Sequence, residues 1–89
     1  MTQRTLDIVN IKGLHARASA KFADVVEQFD AHATVSKGGL STDGDSIMGL
    51  LMLAASKGTF IEVETQGAQA DQLMNALEAL VADKFGEGD

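Results

Sequence analysis

The feature that most limits the fold of this 89-residue chain is an alternation between two hydrophobic periods. Segments in which every second residue is apolar predict half-buried strands, whereas apolar residues three and four apart predict amphipathic helices. Along the chain these periods follow the order βαββαβα. We therefore expect an α+β open-faced sandwich, in which three helices cover one face of a four-stranded, mainly antiparallel sheet.

Turn and capping residues bound the predicted elements. Strands are predicted over residues 4–9, 32–37, 40–42 and 59–65, and helices over residues 16–28, 47–53 and 68–84. The Gly38-Gly39 pair favours a hairpin turn, and Ser46 favours a helix N-cap. We expect one domain over residues 1–89, with an acidic tail from Phe85 in which residues 86–89 fray.

The composition excludes several classes of function. The chain has no cysteine, which removes disulfides, thiolate nucleophiles and thiolate metal sites. Thirteen acidic residues against seven Lys and Arg give a net charge of −6, and all four aromatic residues are Phe. Both features disfavour nucleic-acid binding. No apolar run is long enough for a signal peptide or a membrane span, so we expect a cytoplasmic monomer that does not insert into membranes.

The segment around His15 has the residue types of an anion site. It places an imidazole where a glycine-containing loop turns into a helix, and Arg17 follows in the first turn. The N–H groups and the dipole of a helix start favour an anion, and a guanidinium matches phosphate oxygens. An imidazole nitrogen can attack a phosphoryl group near neutral pH. The residue types alone also allow a plainer interpretation, in which His15 is a cap and Arg17 a solvated side chain.

Two blocks of sequence resemble a known family. Residues 13–22, Gly-Leu-His-Ala-Arg-Ala-Ser-Ala-Lys-Phe, are similar to the active-site stretch of HPr phosphocarriers, and residues 46–53 are similar to that family's regulatory-serine helix. The resemblance implies that enzyme I, charged by phosphoenolpyruvate, phosphorylates Nδ1 of His15. It also implies that Arg17 stabilises the phosphorylated form, that an EIIA-type protein accepts the group, and that an HPr kinase/phosphorylase can act on Ser46.

The resemblance leaves the pathway open. Sugar-type carriers commonly have proline after the arginine, whereas this chain has alanine at position 18, as in the nitrogen-regulatory branch. Lysines on the docking face of sugar-type carriers are replaced here by Asp24 and Glu27. We expect carbohydrate uptake or nitrogen-linked regulation, with an enzyme I that differs accordingly.

The second predicted helix is apolar almost all round, so part of it should remain exposed as a docking surface. With the family resemblance, which implies that this helix flanks His15, the predicted docking residues are Ala16, Ala20, Ile47, Met48, Leu51 and Met52. Full burial of this helix is the competing interpretation. Ser46 has two interpretations as well, because a serine before a helix is explained by capping without any phosphorylation.

We expect a stoichiometric carrier with no cofactor and no metal, and not an enzyme in the usual sense. The Gly38-Gly39 pair lacks the pattern of a nucleotide-binding loop, so the phosphoryl donor should be a protein. His32 has no partner residues for a metal site nearby in sequence and should lie at the surface. The alternative function is a ligand-sensing or structural module, in which His15 and Arg17 only decorate a helix end.

Overall fold

The computed structural model describes residues 2–86. Within this range the chain forms four strands and three α-helices in the predicted βαββαβα order. The strands are β1 (Thr2–Asp7), β2 (His32–Lys37), β3 (Leu40–Asp43) and β4 (Phe60–Gln66), and the helices are α1 (Ala16–Glu27), α2 (Ile47–Met52) and α3 (Ala70–Ala82). None of these helices is long and apolar enough to span a membrane.

The sheet has the strand order β1-β4-β2-β3, and all three pairings are antiparallel. Alternate residues of each central strand enter the core, as in β4, where Ile61 and Val63 are fully buried while Phe60 and Glu62 are exposed. α3 packs on β1 and β4, α2 packs on β3, and α1 packs against both other helices. The predicted α+β sandwich is therefore confirmed.

Most predicted boundaries lie within one or two residues of the observed ones. The first strand runs over Thr2–Asp7 and not over residues 4–9, because Thr2 and Gln3 already pair with Thr65 and Glu64 of β4. Ile8 lies beyond the strand, yet its N–H donates to the carbonyl of Thr59 at 2.9 Å. α3 is shorter than predicted at both ends, since it begins after Gln69 and ends at Ala82.

The prediction that a tail begins at Phe85 was wrong. This side chain is fully buried in the core, within a 3₁₀ turn over Lys84–Gly86 that packs against α1 and α3. The Lys21 ammonium on α1 donates to the carbonyl of Phe85 at 2.7 Å, which fastens the turn to that helix. Residues 87–89, also predicted to fray, lie outside the described residues.

Candidate functional site

The loop before α1 is held by its own backbone and by one buried side chain. Asn10 is fully buried, and its side-chain amide donates to the carbonyl of Gly13 at 2.8 Å, while the Gly13 N–H donates back to the Asn10 carbonyl at 3.2 Å. Gly13 has φ +65, and a Cβ there would lie 2.4 Å from the carbonyl oxygen of Ala55. The loop therefore requires glycine at position 13 for both backbone conformation and space.

The residues on either side of His15 are anchored to the core. Leu14 is buried, and its N–H donates to the Ala55 carbonyl at 2.8 Å. The hydroxyl of Ser19, also fully buried, donates to the Leu14 carbonyl at 3.2 Å. His15 thus sits on a backbone whose position is fixed from the loop, from α1 and from the segment after α2.

His15 is the N-cap residue of α1. Its backbone is extended, with φ −79 and ψ −176, and its Nδ1 accepts a hydrogen bond from the N–H of Arg17 at 3.3 Å. The carbonyl of His15 accepts the first helical bond, from Ser19, at 2.8 Å. The imidazole, which is half-buried, therefore has its Nδ1 at the start of the helix, where N–H groups without an intrahelical acceptor lie.

The charges at this helix start favour an anion. The first turn of α1 contains no acidic residue, and the Arg17 side chain is exposed. The partial positive charge of the helix start therefore acts on the solvent beside His15, and Arg17 adds a full positive charge to the same turn. This arrangement can hold a phosphoryl group on Nδ1 without enclosing it.

Ser46 caps α2, as one of its two interpretations predicts. Its hydroxyl oxygen accepts from the N–H of Gly49 at 3.1 Å. A Cβ on Gly49 would lie only 1.8 Å from the hydroxyl oxygen of Thr42, so this glycine lets α2 approach β3 closely. The cap accounts for serine at this position and does not test its phosphorylation.

The predicted docking residues fall on two neighbouring helices, α1 and α2. On α2, Leu50 is fully buried, whereas Met48 and Met52 are about 70% exposed, at 69% and 70%, and Ile47 is exposed as well. Leu51 is half-buried. The interpretation in which α2 is fully buried is thus wrong.

The other two predicted docking residues lie on α1, where Ala16 is exposed and Ala20 is half-buried. Because α1 packs against α2, the helices that carry these small and apolar side chains are neighbours.

The remaining predictions and the missed residues complete the site. His32 is exposed at the start of β2, as expected. Residues 2–86 contain no group of three His, Cys, Asp or Glu side chains that could hold a metal ion. Two buried residues, Asn10 and Ser19, were not predicted as part of the site, because the sequence shows only one polar residue in a loop and one in a helix near His15.

Comparisons with known proteins agree with this geometry. The chain matches the family model described as "PTS HPr component phosphorylation site" over residues 2–83. Phosphocarrier protein HPr of Neisseria meningitidis serogroup A is 48% identical over 89 residues, covering 100% of both chains. Phosphocarrier protein NPr of Shewanella violacea is 40% identical over 85 residues, covering 96% of this chain and 93% of that protein. The crystal structure of HPr-C-His from Thermoanaerobacter tengcongensis superposes with a TM-score of 0.93 at 33% identity, covering 98% of each chain.

An open-faced α+β sandwich of this size with such relatives defines a class of small phosphocarriers. The chain belongs to the HPr family of the phosphotransferase system. The family resemblance seen in the sequence is confirmed, and with it a role as a phosphocarrier of that system. Similar proteins are named both HPr and NPr, so these names do not separate the sugar branch from the nitrogen branch.

Proposed function

We propose that this phosphocarrier accepts a phosphoryl group on Nδ1 of His15 from phospho-enzyme I and passes it to an EIIA-type protein. The observation that carries the proposal is the hydrogen bond from the Arg17 N–H to Nδ1 at the N-terminus of α1. It aims the reactive nitrogen at the helix start, where a transferred phosphoryl group would find hydrogen-bond donors.

The hydrogen bond also selects the reactive tautomer. A nitrogen that accepts a hydrogen bond carries no proton, so the network assigns the proton of the neutral imidazole to Nε2. In the transfer, the Nδ1 lone pair forms a bond to phosphorus, and the leaving atom of the donor keeps the electron pair of the bond that breaks. No proton has to leave Nδ1, so the step requires no general base at that atom.

The site must release the phosphoryl group as well as bind it. The N–H groups of the first helical turn and the exposed Arg17 guanidinium stabilise its negative oxygens. The half-buried imidazole leaves the phosphoryl group within reach of the next protein, since no lid covers it in residues 2–86. This balance suits a carrier, in which each transfer must be reversible.

The proposed acceptor residue is tested by replacing each of the two histidines. After incubation with phosphoenolpyruvate and enzyme I, intact-mass analysis should show one acid-labile phosphoryl group on the wild-type protein and on His32→Ala. His15→Ala should show none, because it lacks the attacking nitrogen. Running the assay with enzyme I of the sugar branch and of the nitrogen branch identifies the faster donor. An unmodified wild type, with both donors active on their own carriers, would favour the sensing or structural module.

The proposed docking surface comprises the predicted residues of α1 and α2 around His15. Met48→Asp places a charge in the centre of the exposed apolar part, and we expect the KM for enzyme I to rise about tenfold, since one desolvated charge at a contact costs roughly 1–2 kcal/mol. Steady-state phosphorylation kinetics measure this. Gln72→Asp, which adds the same charge on the exposed face of α3, is the control and should leave KM unchanged. Equal KM values for the two variants would remove α2 from the docking surface.

We propose that Ser46 is a regulatory phosphorylation site whose modification blocks docking and does not unfold the protein. A phosphate adds up to about two negative charges, which the helix start tolerates but an apolar docking surface does not. Ser46→Asp keeps a cap and adds charge, so it should raise the KM for enzyme I several-fold with little change in Tm. Ser46→Asn keeps the cap without charge and should behave like the wild type. A Ser46→Asp variant that unfolds, or one with normal KM, contradicts the proposal.

The cellular setting follows from the donor. Enzyme I takes its phosphoryl group from phosphoenolpyruvate, so we place the relay in the cytoplasm. We take the working form to be a monomer, although a dimeric HPr from Thermoanaerobacter tengcongensis has been solved. Light scattering at assay concentrations tests this assignment, because a dimer would have twice the mass.

A further inference from the structure

One end of the sheet combines exposed apolar residues with lysines. The strand registers place Asp7 opposite Phe60 and Lys37 opposite Leu40, so β1 and β2 end where β3 and β4 begin. The loops over residues 8–14, 38–39 and 53–59 therefore meet at this end. These loops belong neither to α1 nor to α2 and lie outside the proposed docking surface.

The exposed apolar residues divide into two groups. Seven large apolar side chains of residues 2–86 are exposed, and three of them lie on α2. The other four all lie at this end of the sheet: Val9, Ile11, Leu40 and Phe60. Single exposed apolar side chains are normal on a protein surface, whereas a group of four at one place is typical of an interaction site. This end of the sheet is therefore a candidate interaction surface.

Two of the lysines at this end, Lys37 and Lys57, have no ion-pair partner among residues 2–86. The one ion pair in that range joins Arg4 to Glu78, and Lys21 is bonded to the carbonyl of Phe85. Lys37 and Lys57 take part in neither contact. In a protein of net charge −6, these two lysines beside an apolar surface outweigh the one carboxylate there, Asp7, and leave a local excess of positive charge.

The surface between these lysines is concave. Two adjoining clefts, of about 410 and 360 Å³, share Gly58 and Thr59. Asp7, Val9 and Lys57 line the first cleft, and Lys37 and Phe60 line the second, so two ammonium groups face one carboxylate across the pair of clefts. A Cβ on Gly58 would meet no atom within 4 Å, so the floor of this sheet-end groove is open to an approaching chain.

We propose that the sheet-end groove is a second docking surface, which takes a segment bearing carboxylates and an apolar side chain from a protein partner of the relay. This inference rests on the proposed function. The lysines pair with carboxylates, and the exposed faces of Val9 and Phe60 receive the apolar side chain. An anionic membrane is the weaker fit, because the surface is a groove and the net charge of the protein repels such a membrane.

The groove is connected to the phosphoryl site through the backbone. Gly13 and Leu14 lie against Ala55 and Ser56, which precede Lys57 directly. A partner that covers His15 therefore needs only a short extension to enter the groove. This continuity is why a protein of the relay, and not an unrelated one, is the proposed occupant.

The test compares the wild type with Lys57→Glu and Phe60→Ser, and uses Lys84→Glu as the matched charge control outside the groove. Phosphoryl transfer from phospho-enzyme I, and onward to an EIIA-type protein, is measured against partner concentration at low and high salt. We expect Lys57→Glu to raise the KM for one of the two partners about tenfold with unchanged kcat, and to reduce the dependence of that KM on salt. Phe60→Ser should raise the same KM without changing the salt dependence. Circular dichroism checks that each variant is folded.

The outcomes separate the groove from the relay. A wild type that is never phosphorylated overturns the relay. A phosphorylated wild type whose KM values match those of Lys57→Glu and Phe60→Ser overturns the groove alone. Sedimentation with vesicles of anionic phosphatidylglycerol provides the remaining arm. If the wild type binds these vesicles, Lys57→Glu does not, and the KM values of Lys57→Glu for both protein partners are normal, the groove belongs to a membrane and the proposal is overturned.

Discussion

Replacing Phe85 by alanine is expected to lower the free energy of unfolding by about 3–5 kcal/mol, the usual cost of removing a buried phenyl ring. Phe85 is fully buried against α1 and α3, although only four residues follow it in the chain. Since small domains are stable by only about 5–15 kcal/mol, the variant should be partly unfolded at moderate temperature. Urea denaturation followed by circular dichroism measures the loss.

The matched control for this substitution is Phe60→Ala. Phe60 is 52% exposed at the start of β4, so its removal should cost less than about 1 kcal/mol. A similar small cost at Phe85 would show that the 3₁₀ turn does not belong to the core. A large cost would confirm that this turn belongs to the core.

Replacing Gly13 by alanine is expected to cost about 3 kcal/mol or more and to slow phosphorylation of His15. The first part of the cost is the left-handed backbone at φ +65, about 1–2 kcal/mol for a residue with a Cβ. The rest is overlap, because the new Cβ would lie 2.4 Å from the Ala55 carbonyl oxygen and 2.8 Å from the Cα of Ser56. The loop that leads into His15 has to shift to relieve this overlap, which displaces the imidazole.

Gly38→Ala separates these two costs. Gly38 also has a left-handed backbone, with φ +56, but a Cβ there would meet no atom within 4 Å. This variant should lose only about 1–2 kcal/mol and should be phosphorylated with the normal kcat, because it leaves the loop before His15 in place. Equal stability losses in the two variants would mean that the contact between Gly13 and the segment after α2 is not tight.

The order and type of the elements could be predicted because local hydrophobic period and global packing agree. The alternation of Ile61 and Val63 with Glu62 and Glu64 identified β4, and the cap residue Ser46 identified the start of α2. These signals lie within a few residues of one another, so no knowledge of the tertiary structure was needed.

The residues that the sequence did not predict depend on contacts between distant segments. Phe85 follows α3 and resembles a frayed end, but it is buried by α1 and held by Lys21, 64 positions away. Lys84 and Phe85 both have φ +55, a conformation that propensity disfavours for residues with a Cβ. Ala54, which follows the C-cap residue of α2, has φ +52, where a glycine would have been the usual signal.

The candidate site shows the same division. His15 and Arg17 were recognisable because the helix start and the residue types fall within one short motif. The contacts that anchor this motif could not be recognised in the sequence. They depend on the buried side chains of Asn10 and Ser19 and on the Ala55 carbonyl, which lies 40 positions beyond His15. Anchors of this kind are visible only in the folded chain.

The central claim is that Nδ1 of His15 carries the phosphoryl group, and NMR of the phosphorylated protein labelled with ¹⁵N in histidine tests it most directly. The account predicts coupling between phosphorus and Nδ1 of His15, with a proton on Nε2 and an unchanged spectrum for His32. Coupling to Nε2 of His15, a modified His32, or phosphorus on a hydroxyl such as that of Ser46 under the same conditions would contradict it.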